Sequence, residues 1–392
     1  MNSTKYDDYD ILSLLREKGL DKVESGWLER IEAVRCDQVE RALTEPAGFY
    51  RFERLLALIS PAAEGYLEEM ARQARRLTWQ RFGRTIRLYA PLYLSNRCIN
   101  SCLYCGFNCT SEFRRTRLTV DEAVAEAEII ASEGFRDLLL VSSEDREWVS
   151  VDYLSELARR LREMFSSLAI EIYQMEQDDY AALFGSGIEG VTIYQETYQR
   201  EIYRRFHPAG PKADYERRLI GPDSIAGAGM REIGLGALLG LANWQLETLA
   251  LAEHAHYLMK RYWQSHVSFS FPRLRPAFEV GRSQFEHLMS DTQLVQMILA
   301  LRLCFADAGL VLSTRESPRL RDRLVKLGIT KMSAGSRTNP GGYSGHEEAV
   351  KQFEVDDTRT PGEVARMLRG QGLEPVWKDW DCGYIEETPA AK

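Results

Sequence analysis

Leu88-Tyr89-Ala90-Pro91-Leu92-Tyr93-Leu94 runs within a few residues into Cys98-Ile99-Asn100-Ser101-Cys102-Leu103-Tyr104-Cys105. The apolar first half reads as a buried strand. The second half places three cysteines in a C-x3-C-x2-C spacing at the end of that strand. Thiolates packed this closely suit one soft metal centre. A zinc site wants a fourth protein ligand, and no His or Cys at finger spacing follows; Cys109 is the nearby extra thiol. An iron–sulfur cluster held by three thiolates leaves one iron open to another ligand. Free thiols in a loop are the remaining reading.

Downstream of the first strand, apolar runs alternate with amphipathic helical segments. Strands are expected at residues 86–94, 137–142, 169–174, 190–195, 232–237, 266–271, 310–314 and 331–334. Helices are expected at 120–133, 151–165, 214–228, 244–261 and 291–307. Eight strand–helix units predict an α/β fold, a (β/α)8 TIM-type barrel. A doubly wound open sheet is the alternative, but no G-x-G-x-x-G follows the first strand. Residues 1–83 read as an N-terminal helical extension cut by Gly19, Pro46, Gly48 and Pro61. The barrel is expected over 84–336, and 337–392 as a Gly- and Pro-containing C-terminal extension packed on it.

The chain has 392 residues and a formal net charge of −8. That balance leaves no basic footprint for nucleic acid. No apolar run is long enough to cross a bilayer, and the start is polar and acidic with no signal-peptide core. Seven cysteines, three of them clustered, are not a secreted disulfide framework. The expected setting is a reducing cytoplasm.

In a barrel of this kind, reactive groups stand at the C-terminal ends of the strands. Those positions hold the cysteine cluster, Ser142-Ser143-Glu144-Asp145, Tyr194-Gln195-Glu196-Thr197-Tyr198, the glycine-rich run from Gly234 through Gly236 to Gly240, Pro272-Arg273-Leu274-Arg275-Pro276, Thr314-Arg315-Glu316-Ser317 and Ser333-Ala334-Gly335-Ser336. So many polar groups on otherwise apolar strands would converge on one mouth. Each also has a structural reading. Glu144 could cap a following helix, Glu196 could pair with Arg204 or Arg205, and Arg315 could pair with Glu316. His254 and His256 read as packed or surface residues.

The C-x3-C-x2-C motif, with Tyr104 before its third cysteine, resembles that of the radical S-adenosylmethionine superfamily. Residues 98–107, 194–198, 234–241, 271–276, 313–323 and 332–343, with 376–381, resemble more closely the tyrosine lyases of thiamine biosynthesis, the 2-iminoacetate synthases. The likeness runs from about Tyr89 to about Asp381. It implies a 4Fe-4S cluster on Cys98, Cys102 and Cys105, with S-adenosyl-L-methionine on the open iron. It implies that a 5′-deoxyadenosyl radical takes a hydrogen atom from the amino group of L-tyrosine. The Cα–Cβ bond then breaks to give 2-iminoacetate and p-cresol, and the imine passes to thiazole synthase. An electron donor such as flavodoxin or ferredoxin is implied as well.

The same resemblance implies roles for single residues. Glu144 would take the amino group of S-adenosylmethionine, although Ser142 and Ser143 stand where the superfamily has two glycines. Glu196 would take the ribose hydroxyls and Arg218 the cofactor carboxylate. Gly234 and Gly236 would let the backbone approach adenine. Arg315 is the first choice for the substrate carboxylate, ahead of Arg273 and Arg275, with Ser333 and Ser336 at the substrate amine or carboxylate. No residue is assigned to the phenol. The rivals are a hydrogenase-maturation tyrosine lyase, which needs further C-terminal cysteines where this chain has only Cys382, a tryptophan lyase, and a non-catalytic iron–sulfur or zinc protein.

Overall fold

A computed structural model of the chain describes residues 10–24, 26–345 and 349–378. Trp380, Asp381 and Cys382, used in the sequence reading, lie outside the described residues.

Helices α1 (Ile11–Glu17), α2 (Trp27–Glu32), α3 (Cys36–Thr44), α4 (Phe52–Leu58) and α5 (Leu67–Phe82) come first. Then follow β1 (Thr85–Ser95), α6 (Val120–Ser132), β2 (Asp137–Ser142), α7 (Val151–Leu161), β3 (Ser167–Glu171), α8 (Gln177–Gly185), β4 (Gly190–Glu196) and α9 (Arg200–Phe206). The chain continues through α10 (Tyr215–Gly227), β5 (Glu232–Ala237), α11 (Trp244–Arg261), β6 (His266–Ser270), α12 (Asp291–Cys304), β7 (Gly309–Leu312), α13 (Pro318–Leu324), β8 (Lys331–Ser333), α14 (Pro361–Gly370) and β9 (Glu374–Val376). Strands β1 to β8 pair in parallel in chain order, and β1 pairs with both β8 and β2. The ring closes as the eight-stranded barrel expected from the alternation, with helices between the strands.

Strand β1 carries Pro91 in its interior, a residue a central strand normally rejects. Its register removes the conflict. Arg87 N donates to Thr330 O and Tyr89 O accepts from Ala334 N, so odd-numbered residues of β1 face β8. The last β1–β8 pair is Tyr89 with Ser333, and Pro91 lies beyond it. Its missing N–H therefore breaks no ladder bond, while its carbonyl accepts from the Tyr343 hydroxyl at 2.8 Å.

The floor of the barrel is closed by charge. Arg87 pairs with Asp137 and Glu232, and Lys331 reaches the same two carboxylates. Chemistry is thereby left to the opposite end. The N-terminal helices are tied to the outer ring by buried amides. Gln296 Nε2 donates to Leu58 O and Ser60 O, and Gln199 Nε2 to Leu20 O. No helix among the described residues is long and apolar enough to cross a membrane.

After β8 the chain crosses the mouth and returns. Gly106 has no room for a Cβ, which would stand 2.6 Å from Lys351 O, and its N–H donates to Gln352 O. Further along, β9 pairs with the start of β1, and Trp377 packs edge-on against Phe135. The anchor of this return is a fully buried ion pair between Arg321 and Asp357, with Arg359 also on Asp357. Removing one partner of a buried pair leaves an uncompensated charge, a loss of about 3–5 kcal/mol. Asp357→Ala is accordingly expected to lower the unfolding free energy by that amount in denaturant titrations.

Candidate active site

The cysteine loop leaves β1 at Ser95 and is held by two arginines. Arg115 donates to four carbonyls, those of Asn96, Phe107, Asn108 and Ser111, at 2.6–2.9 Å. Arg117 makes a two-point pair with Asp145, which also accepts from the Ser95 hydroxyl. A loop clamped this way presents its side chains in fixed positions. Cys98, Cys102 and Cys105 line one cavity at the barrel mouth. Backbone N–H groups of Asn100 and Phe107 donate to the sulfurs of Cys98 and Cys105 at 3.4 Å. Burial pushes all three thiols up, Cys105 to about 11, and the nearby Lys212 ammonium opposes this. Among the described residues no set of three His, Cys, Asp or Glu is arranged to hold a single metal ion. Cys109 is exposed.

Four other sequence-derived candidates line the same cavity together: Glu144, Glu196, Arg218 and Tyr104. Glu144 follows β2 and accepts from Asn100 Nδ2 at 3.1 Å and Arg146 Nε at 2.7 Å. It caps no helix; the cap of α7 is Ser150. Glu196, the last residue of β4, has a left-handed backbone with φ of 68°. A non-glycine residue rarely adopts that conformation, and it aims this carboxylate where a regular strand would not. Its partner is Lys212, from the turn before α10, and not Arg204 or Arg205. Burial alone would raise the Glu196 pKa, but the Lys212 ammonium and the Arg218 guanidinium outweigh it and hold the carboxyl below its usual range. Arg218 in α10 donates from Nε to the Tyr194 carbonyl at 2.8 Å, while Arg217 turns outward to Glu176. Tyr104 contacts His207 Nε2 at 2.8 Å. His207 Nδ1 faces the Tyr203 carbonyl, so it carries the proton and Tyr104 is the donor. Burial, assisted by Lys212, holds His207 neutral, at about 3.

Below this cavity lies a second one, sharing Val141, Glu171, Tyr194, Pro272, Arg315 and Phe353 with it. An aromatic wall of Tyr89, Tyr93, Tyr194, Phe271 and Phe353 faces serines and threonines across it. Arg315 lines both cavities; its guanidinium lies on the Phe353 ring, 3.4 Å from the centroid, and reaches Arg273 O at 3.4 Å. Ser333 and Ser336 line the deeper cavity. Ser333 Oγ accepts from Thr314 N, and the buried Ser336 Oγ has no hydrogen-bond partner among the described residues. Arg275 lines the upper cavity and pairs with Asp356 at 3.4 Å.

Three expectations are corrected. Arg273 does not line the mouth: its guanidinium is taken up by Glu316 and Asp291, which is also why Arg315 is left without Glu316. Gly234 and Gly236 do not line it either. A Cβ on Gly234 would stand 2.4 Å from Thr192 Oγ1, and one on Gly236 2.7 Å from the Tyr194 ring. The two glycines make room for β4 side chains inside the barrel, so their place in β5 reflects strand packing. Reading by sequence missed Glu171, Lys212, Gln352 and Phe353, all lining the upper cavity. For Glu171 there was a signal, an acid closing the apolar run Leu168-Ala169-Ile170. Lys212 sits in a short turn with no pattern around it.

The turn that follows Glu196 rests on Glu247 of α11, which accepts from Thr197 Oγ1 at 2.6 Å and Tyr198 N at 2.9 Å. Burial pushes the Glu247 carboxyl up to about 7, against those donors. A folded pKa above the unfolded one favours folding below the unfolded value, about 4.3, and that contribution is lost as pH rises through the folded value. Glu247→Gln is expected to remove this pH dependence. Wild-type protein should lose about 3 kcal/mol relative to the variant between about pH 4 and about pH 7, read by urea unfolding across that range.

Residues 92–252 match the radical SAM superfamily, and residues 270–374 match the biotin and thiamin synthesis associated domain. The chain is 46% identical over 353 residues to the 2-iminoacetate synthase of Escherichia coli (strain K12), covering 90% of this chain and 93% of that protein. The crystal structure of HydG, a maturase of the FeFe-hydrogenase, superposes with a TM-score of 0.83 at 32% identity, covering 98% of this chain and 82% of that one. Methylornithine synthase, PylB, superposes at 0.68 with 21% identity over 86% of this chain and 97% of its own, a likeness of fold.

Proposed function

The chain belongs to the 2-iminoacetate synthase family of the radical SAM superfamily, and we propose that it cleaves the Cα–Cβ bond of L-tyrosine to 2-iminoacetate and p-cresol. The observation that carries this reading is the convergence on one barrel mouth of three clustered thiols, the charged groups Glu144, Glu196 and Arg218, and Arg315, which makes no ion pair among the described residues. Cys98, Cys102 and Cys105 fit a 4Fe-4S cluster: they share one cavity, and two of the sulfurs receive backbone N–H groups. Bound there, such a cluster supplies the electron that splits S-adenosylmethionine into methionine and the hydrogen-abstracting 5′-deoxyadenosyl radical.

The protein's own part is recognition and exclusion of water. Glu144 and Arg218 offer opposite charges to the two ends of an amino-acid moiety in the upper cavity. Glu196, kept ionised by Lys212, offers a carboxylate to a pair of hydroxyls. Arg315, stacked on Phe353, offers a two-point partner to a carboxylate. Ser333 and Ser336 stand deeper, where the aromatic wall suits a phenol ring. Thiazole synthase as acceptor of the imine and flavodoxin or ferredoxin as electron donor belong to the same reading.

The test is anaerobic incubation of iron-reconstituted protein with dithionite, S-adenosylmethionine and L-tyrosine, with mass spectrometry of the products. 5′-Deoxyadenosine, p-cresol and glyoxylate, the hydrolysis product of the imine, are expected together. 5′-Deoxyadenosine with no p-cresol would overturn the substrate, and tryptophan would be tried next.

A further inference from the structure

Glu171 closes β3 and points into the barrel where the two cavities meet, lining both. It is the one acidic residue among the described residues that lines the deeper cavity. Burial pushes its carboxyl up, although Arg315 and the Tyr194 hydroxyl beside it pull the other way. Among the described residues no cationic side chain makes an ion pair with it. Every other acid of the mouth is matched: Glu144 by Arg146 and Glu196 by Lys212.

Arg315 is its mirror image. It lines the same two cavities, stacks on Phe353 and reaches one carbonyl, and among the described residues it pairs with no carboxylate. A buried charge without a counter-charge is costly unless a ligand supplies one. Here the carboxylate and the guanidinium feel each other's charge, but among the described residues neither closes an ion pair, with the other or with a third group. A molecule that brings one ammonium and one carboxylate on adjacent atoms satisfies both.

Resting on the tyrosine lyase reading above, we propose that Glu171 is the substrate-binding residue for the α-ammonium group of the amino acid, set against Arg315 at the α-carboxylate. Glu171 thereby selects α-amino acids over deaminated analogues and turns the amine toward the upper cavity. The phenol is left to the aromatic wall of the deeper one.

The test is equilibrium binding to cluster-loaded protein in the presence of S-adenosylmethionine, by calorimetry. Three ligands are compared: L-tyrosine, 3-(4-hydroxyphenyl)propanoate, which lacks the amine, and L-phenylalanine, which lacks the hydroxyl. In Glu171→Gln the affinity for L-tyrosine and L-phenylalanine is expected to fall by about tenfold to a hundredfold, while that for the deaminated analogue is unchanged. Glu171→Asp, which keeps the charge, is expected to retain the preference for the amine, and unchanged S-adenosylmethionine affinity reports an intact mouth. Equal losses for all three ligands would assign Glu171 a packing role and overturn the proposal. Losses confined to the two ligands with a hydroxyl would make it a phenol reader and overturn it too. Wild-type protein that binds no L-tyrosine overturns the lyase reading, whereas wild-type binding that Glu171→Gln keeps overturns this assignment alone.

Discussion

Cys102→Ala protein, reconstituted and assayed as wild type, is expected to hold little iron and to form 5′-deoxyadenosine only at the level of a protein-free control. Cys102 is the most deeply placed of the three thiols, and burial raises it furthest of the pair with Cys105. Among the described residues no other thiol is positioned to replace it. Cys36 starts α3 on the surface, Cys304 ends α12 in the hydrophobic core, and Cys109 is exposed. Two thiolates do not hold a cluster that needs three to leave one iron open. The fold has no comparable dependence, because Arg115 clamps the loop through backbone carbonyls at Asn96, Phe107, Asn108 and Ser111. Circular dichroism and the denaturation midpoint should therefore stay near wild type while iron and turnover vanish. Iron retained at the wild-type level with full turnover would remove the cysteine loop from the account.

The second large effect is at Arg315. Removing one partner of a desolvated, hydrogen-bonded charge pair costs about 2–5 kcal/mol, or about thirtyfold to a few thousandfold. Arg315→Gln is expected to lower kcat/KM for L-tyrosine by that range. Arg315→Lys should recover little of it, since an ammonium lacks the planar fork and the stacking on Phe353. S-adenosylmethionine binding should be preserved, because the charged groups of the upper rim, Glu144, Glu196 and Arg218, keep their own partners. Arg273→Gln is the contrast. Its guanidinium is spent on Glu316 and Asp291, so its loss should appear in stability before it appears in KM. A variant of Arg315 with an unchanged KM would mean the substrate carboxylate is read elsewhere.

The contrast between these two arginines marks where sequence reading ends. Both stand at strand ends, and both are followed within reach by acids. Which arginine takes Glu316 depends on how β6 and β7 present their loops, and that is a property of the closed ring. Barrel architecture was legible because each unit repeats the same apolar alternation and each strand end is polar. Strand β9 was not legible: it has three residues, one of them Pro375, and among the described residues it pairs only with the start of β1. The glycines of β5 were misassigned because the space above a glycine is filled by a neighbouring strand, here by Thr192 and Tyr194. Glu171 was lost to a boundary error. The expected strand ran through residue 174, which puts Glu171 in its interior, whereas β3 ends at Glu171 and makes it a mouth residue. A shift of three residues at a strand end thus decides whether an acid reads as packing or as chemistry.

A carbon–carbon bond of L-tyrosine is expected to break at the mouth of this barrel. The most direct measurement uses L-tyrosine carrying a heavy-carbon label at Cβ in one sample and at Cα in another, with anaerobic turnover and mass spectrometry of p-cresol and glyoxylate. The predicted result is that the Cβ label appears only in p-cresol and the Cα label only in glyoxylate. Either label recovered in a product that still joins the two carbons, or no label leaving tyrosine while 5′-deoxyadenosine accumulates, would contradict it.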